Sequence, residues 1–129
     1  MRMPLHPYSQ QFVREKTMDF AFARRNMIAT QVKTAAVTDP LVISALAAVL
    51  RELFVPASQQ SFAYVDEELA VGKGRYVVEP AVLARLIQLA EVQPGDRVLV
   101  VASGTGYSAA VLAQMTGTVI GVESDEALV

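Results

Sequence analysis

Ser103, Gly104, Thr105 and Gly106 form a run of small residues between an apolar stretch, Val98 to Ala102, and a helix-like stretch that begins at Tyr107. Glycine at the end of a buried strand lets the backbone turn sharply and removes the Cβ that a ligand would otherwise meet. A helix starting directly after such a turn aims its unpaired N–H groups at that ligand. Glu123 closes a second apolar run, "VIGVE", nineteen positions after Gly104. At that spacing a carboxylate at a strand tip can accept hydrogen bonds from ribose hydroxyls. Together these residues read as a site for an adenosine-bearing cofactor. The alternative is a tight strand–helix turn with Glu123 as a surface glutamate and no ligand. The run "GTGYSA" also satisfies the dinucleotide fingerprint G-x-G-x-x-G/A, with Ala109 as its last member, so a dinucleotide-dependent oxidoreductase stays open at this point.

The elements around the turn must hold it in place. "VLVVA" and "VIGVE" are short β-rich runs of the kind buried on both faces of a parallel sheet. "GYSAAVLAQM" between them reads as a helix, so strand, helix and strand form a right-handed βαβ unit. Upstream, "AVLARLIQLAEV" has helical spacing at Val82, Leu83, Leu86, Ile87 and Leu89-Ala90, and "QPGDR" is a turn. "FAYVDEELAVGKGRYVVEP" mixes short β-type runs with a loop at Gly72 to Gly74. Asp66, Glu67 and Glu68 stand together there, but neighbouring carboxylates on one strand or loop point different ways, and a solvated edge is expected. Asp39 and Pro40 form a helix start, with the helix ending near Arg51-Glu52. A first helix over "MDFAFARRNMIATQVKTAAV" places Phe22, Met27, Ile28 and Val32 on its apolar positions, with Arg24, Arg25 and Lys33 on solvated faces.

Composition narrows the chemistry. Across 129 residues, 11 Lys and Arg face 13 Asp and Glu, for a net charge of −2. That balance argues against a phosphate-backbone binder, so no nucleic-acid partner is expected. Hydrophobic residues make up 53% and mean hydropathy is +0.35, which speaks against disorder throughout. The sequence has no cysteine, which removes thiolate catalysis and zinc thiolate sites and fits a cytoplasmic setting. Its one histidine, His6, lies near the N-terminus. No histidine-built metal site is possible, and none is expected. The most apolar run, Leu41 to Leu50, is far shorter than the roughly 20 residues of a membrane-spanning helix. No membrane partner is expected.

"RELFVP", "AYVDEELAVGKGR", "PGDRVL", "GTGYSAAVLA" and "VIGVE" together resemble the protein-L-isoaspartate O-methyltransferase family. The similarity runs from about Met18 to Val129, leaving residues 1–17 as an N-terminal extension and 18–129 as part of a methyltransferase domain. The resemblance implies an α/β fold, with a helical lead-in followed by the first part of a Rossmann-like parallel sheet. It implies S-adenosyl-L-methionine as cofactor and isoaspartyl-containing peptides or proteins as substrate. It puts Ser103, Gly104, Thr105, Gly106 and Tyr107 against the methionine part of the cofactor, and Glu123 on the ribose.

Departures from the family pattern are informative. The family's active-site loop, usually Thr-Ile-Ser-x-Pro, falls on Tyr76, Val77, Val78, Glu79 and Pro80, so the serine hydroxyl is replaced by Val78. No catalytic side chain is therefore assigned. The acidic residue and first glycine of the cofactor motif fall on Val100 and Ala102, and Leu50 replaces a proline. Ala102 is tolerated at no cost only if its backbone avoids positive φ. A carboxylate acceptor is already ionised at pH 7 and needs no strong base, so catalysis would rest on orientation. An impaired cofactor-binding or interaction protein of the same family is the alternative. Two parallel strands and their helices make a poor core alone, so the sequence is expected to be an N-terminal portion of a larger domain. It does not predict an oligomeric state.

Overall fold

A computed structural model of the chain describes residues 18–129; the extension and His6 lie outside the described residues. The first helix, α1, spans Phe20–Met27 and is capped by Asp19, whose side chain accepts from Phe22 N at 3.1 Å. It continues as a π-helical turn, Ile28–Val32, and a 3₁₀ turn, Lys33–Ala35. The expected apolar face holds for Met27, Ile28 and Val32, whereas Phe22 is exposed and Phe20 packs on the core instead. Arg24 also departs from expectation. It is drawn against Tyr64 and Glu52 rather than left in solvent.

Helix α2, Pro40–Ala48, starts as the sequence indicates: Asp39 accepts from Leu41 N at 2.9 Å and Pro40 takes the first turn. It stops at Ala48, short of the expected Arg51-Glu52. Val49 is already extended, and Arg51–Phe54 forms a separate 3₁₀ turn. The reason is burial of Arg51, whose guanidinium is pulled inward to the carbonyls of Ala63 and Val78. A second 3₁₀ segment, Ala57–Phe62, leads to the exposed acids Asp66, Glu67 and Glu68.

Strands β1, Leu69–Gly72, and β2, Arg75–Val77, pair antiparallel around Lys73-Gly74, where Gly74 takes φ +68°. Helix α3, Pro80–Leu89, buries Leu83, Ala84 and Ile87 and leaves Val82, Leu86 and Leu89 exposed. Gln88 on α3 clamps the corner between the first two helices. It accepts from Thr38 N and Asp39 N and donates to Ala36 O at 3.1 Å.

The expected βαβ unit is present: β3, Arg97–Val101, then α4, Tyr107–Ala113, then β4, Thr118–Val122. The strands pair in parallel and in step, from Arg97 opposite Thr118 to Val101 opposite Val122. Burial on both faces is not what the strands show. Val98, Val100 and Val119 pack on the core. Leu99, Val101, Ile120 and Val122 are 62%, 72%, 56% and 44% exposed. Strands of this composition are built to be covered twice, and among the described residues only one face has a cover. No helix of the described residues is long and apolar enough to cross a membrane.

Candidate functional site

The glycine turn is assembled by backbone geometry. Ser103 N donates to Val122 O at 3.0 Å, extending the parallel pairing by one bond past β3. Gly106 N then donates to Ser103 O, closing a turn that feeds α4. Ala102, Gly104 and Gly106 take φ of 55°, 59° and 95°. Both glycines are thus in the left-handed region that demands them, and Ala102 occupies the same region with a Cβ. Ala102 therefore bears the strain that the missing glycine would have avoided.

A Cβ built on Gly104 would meet nothing within 4 Å. Gly104 lines a hollow of about 430 Å³ together with Ser103, Thr105, Gly106, Gly121 to Glu123, Leu128 and Val129. A second hollow, of about 150 Å³, includes Arg75, Val78, Ala102, Ser103, Gly104 and Thr105. Ser103, Gly104 and Thr105 line both hollows. Val78, at the position the resemblance gives to the family's serine, lines the smaller one.

Glu123 sits at the tip of β4 and reaches back to the turn, accepting from Gly104 N at 2.7 Å and from Asp125 N at 3.0 Å. Arg75, from β2, grips the same carboxylate with both terminal nitrogens, with Nη1 to Oε2 at 2.8 Å. Glu123 is consequently held at a pKa of about 2, first by Arg75 and then by the backbone amides of Asp125 and Gly104. Its side chain is only 4% exposed, covered by Arg75 and the turn rather than lying free on the surface. The amide of Gly104 is thus engaged by this acid.

Tyr107 turns inward. Its ring is buried, packs edge-on against Phe54 at 5.6 Å and lies under the Arg51 guanidinium at 4.8 Å. Burial raises the Tyr107 pKa, with Arg51 opposing, and burial lowers that of Arg51. Arg51 is a hub that sequence reading did not single out. Its Nε donates to Ala63 O at 2.6 Å and its Nη2 to Val78 O at 3.0 Å, so it sets the backbone of the segment opposite the glycine turn. Tyr64, next to it, donates to the Glu52 carboxylate and accepts from Arg24; burial and Glu52 push its hydroxyl up to about 12. Arg75 was also missed. The only sequence signal for it was a cation directly ahead of "YVVEP", available to an acid at a strand tip.

The profile of the Protein-L-isoaspartate(D-aspartate) O-methyltransferase family matches residues 23–129. The chain belongs to this family. It is 38% identical over 116 residues to Protein-L-isoaspartate O-methyltransferase 1 of Rhodopseudomonas palustris, covering 90% of this chain and 47% of that protein. It is 42% identical over 111 residues to Protein-L-isoaspartate O-methyltransferase of Roseiflexus sp., covering 86% and 50%. The chain thus spans about half the length of the curated relatives it matches. A solved protein-L-isoaspartate O-methyltransferase superposes with a TM-score of 0.71 at 25% identity, over 81% of this chain and 35% of that one. A Plasmodium falciparum family structure, described as a complex with S-adenosyl-L-homocysteine, superposes at 0.66 with 24% identity, over 87% and 52%. The helical lead-in and parallel strands are therefore part of a Rossmann-like methyltransferase fold.

Proposed function

We propose that residues 18–129 form the cofactor-binding part of an S-adenosyl-L-methionine-dependent methyltransferase acting on the carboxylate of L-isoaspartyl residues in damaged proteins. The observation that carries this reading is the joining of Gly104 and Glu123 across the βαβ unit, beside an open hollow, within a chain of this family. The open side of Gly104 fits a group that must approach backbone closely, and the hollow beside Glu123 has room for it. Ser103 to Gly106 would hold the methionine part and Glu123 the ribose; Tyr107 would contribute through its backbone, its ring being committed to the core. The cofactor supplies an electrophilic sulfonium methyl group.

The remaining work falls to positioning. An acceptor carboxylate is ionised at neutral pH, so this chain needs no general base for it. The smaller hollow, between Val78 and the glycine turn, is the acceptor side, and Arg51 holds its wall through the Val78 carbonyl. Val78 can shape this wall but cannot donate a hydrogen bond to orient the acceptor. That observation favours the second reading, a cofactor-binding family member with little or no transferase activity. Family membership speaks against the dinucleotide reading of the same glycines. We place the protein in the cytoplasm, a reading supported by its lack of cysteine.

Calorimetric titration with S-adenosylhomocysteine and with NAD tests the cofactor, and methyl transfer to an isoaspartyl peptide tests the reaction. Binding of S-adenosylhomocysteine in preference to NAD is the expected outcome. Preference for NAD would overturn the reading.

A further inference from the structure

The carboxylate of Glu123 offers about four acceptor positions, and four N–H groups occupy them: Gly104 N and one Arg75 nitrogen on Oε1, Asp125 N and the other Arg75 nitrogen on Oε2. A ribose diol would bring O–H donors to the same atoms. Two of the present donors are backbone amides, fixed by the turn and by the residues after β4. The other two belong to one side chain, 26% exposed, on a short hairpin. Arg75 lines the smaller hollow, Glu123 lines the larger, Gly104 lines both, and the Arg75–Glu123 pair joins the two linings.

We infer that Arg75 is a latch on Glu123: cofactor ribose and the Arg75 guanidinium compete for the same carboxylate, and the ligand binds only after Arg75 lets go. The inference rests on the cofactor reading above. The Arg75 side chain is partly exposed while Glu123 is covered, so the guanidinium can exchange its bonds for water as a ligand takes over its positions on the carboxylate. While the latch is closed, the apparent affinity is reduced by the fraction of molecules in which Glu123 is free. Arg75 acts through Glu123 and is a positioning residue, not a catalytic one.

The test is titration of wild type, Arg75→Gln and Arg75→Lys with S-adenosylhomocysteine and with its 2′,3′-dideoxy analogue, which cannot present the ribose diol. Arg75→Gln should bind S-adenosylhomocysteine about tenfold more tightly and the dideoxy analogue no differently from wild type. Arg75→Lys, which keeps a charge but loses the two-pronged grip, should fall between. In nuclear magnetic resonance spectra of the wild type, the Arg75 guanidinium N–H signals should shift toward those of a free arginine when S-adenosylhomocysteine saturates the protein. Wild-type binding with no gain in Arg75→Gln, or an equal gain for both ligands, overturns the latch alone. Failure of every variant to bind S-adenosylhomocysteine overturns the latch and the cofactor reading together.

Discussion

Arg51 Nη2 donates to the carbonyl of Val78 at 3.0 Å, across 27 positions of sequence, from a guanidinium with no solvent exposure. The same side chain caps Ala63 O and lies on the Tyr107 ring. One buried cation thus connects the turn after α2, the segment opposite the glycine loop and the first residue of α4. Replacing Arg51 with Met, similar in length, would leave two carbonyls without their donor. Unsatisfied buried acceptors cost about 1–3 kcal/mol each, so losing both donors in Arg51→Met should lower unfolding free energy by about 2–6 kcal/mol. Urea denaturation followed by circular dichroism measures this, and an unchanged midpoint would remove Arg51 from its role.

Ala102 should be improvable. Its φ of 55° is a conformation that glycine adopts freely and an L-residue adopts with strain. Ala102→Gly should therefore stabilise the fold by about 0.5–1 kcal/mol, even after the added chain entropy of glycine. Ala102→Val should do the opposite. Thermal melts of the three proteins in parallel decide the order, and a lower Tm for the glycine variant would contradict the strain argument.

Gly121 is limited by space, not by φ. A Cβ added there would lie 3.0 Å from Ser103 Oγ and 3.1 Å from Ser103 Cβ. Gly121→Ala should push Ser103 and weaken S-adenosylhomocysteine binding more than it changes stability. Gly121→Ala combined with Ser103→Gly should recover the affinity. A double variant no better than the single one would show that the contact relaxes elsewhere.

Acid stability should depend on Glu123. Its carboxyl titrates near 4.5 when unfolded and about 2 when folded. Between these values the unfolded chain binds more protons, so the contribution is complete above pH 4.5 and fades as pH falls toward 2. Glu123→Gln should flatten this part of the stability profile while leaving the slope between pH 6 and 8 unchanged. Urea midpoints collected from pH 2.5 to 7 for both proteins supply the comparison; parallel curves below pH 4.5 would refute the assignment.

Methyl transfer should be limited by the Val78 position. If the acceptor enters beside Val78, wild-type transfer to an isoaspartyl peptide is slow or absent, and Val78→Ser, by restoring a hydroxyl, raises it. A wild-type rate already equal to that of a serine-bearing relative, and unmoved by the substitution, would mean that orientation comes from another group.

Local physics was strong enough to make much of this fold legible in sequence. Asp39-Pro40 starts a helix by capping chemistry, and "VLVVA", "GYSAAVLAQM" and "VIGVE" define strand, helix and strand by hydrophobic period and length. The glycines at 104 and 106 announced a sharp turn, and both take positive φ there, a conformation few other residues adopt without strain. What stayed hidden depended on partners distant in sequence. The end of α2 is set by Arg51 reaching carbonyls at 63 and 78, and Arg24 is held by residues 52 and 64. Glu123 read as an available acid because its charge is local information, while its saturation by Arg75 is set by a contact 48 positions away. Periodicity and turn chemistry act over a few residues and can be read along the chain; where a charge is buried, and what it is paired with, depends on which segments the fold brings together.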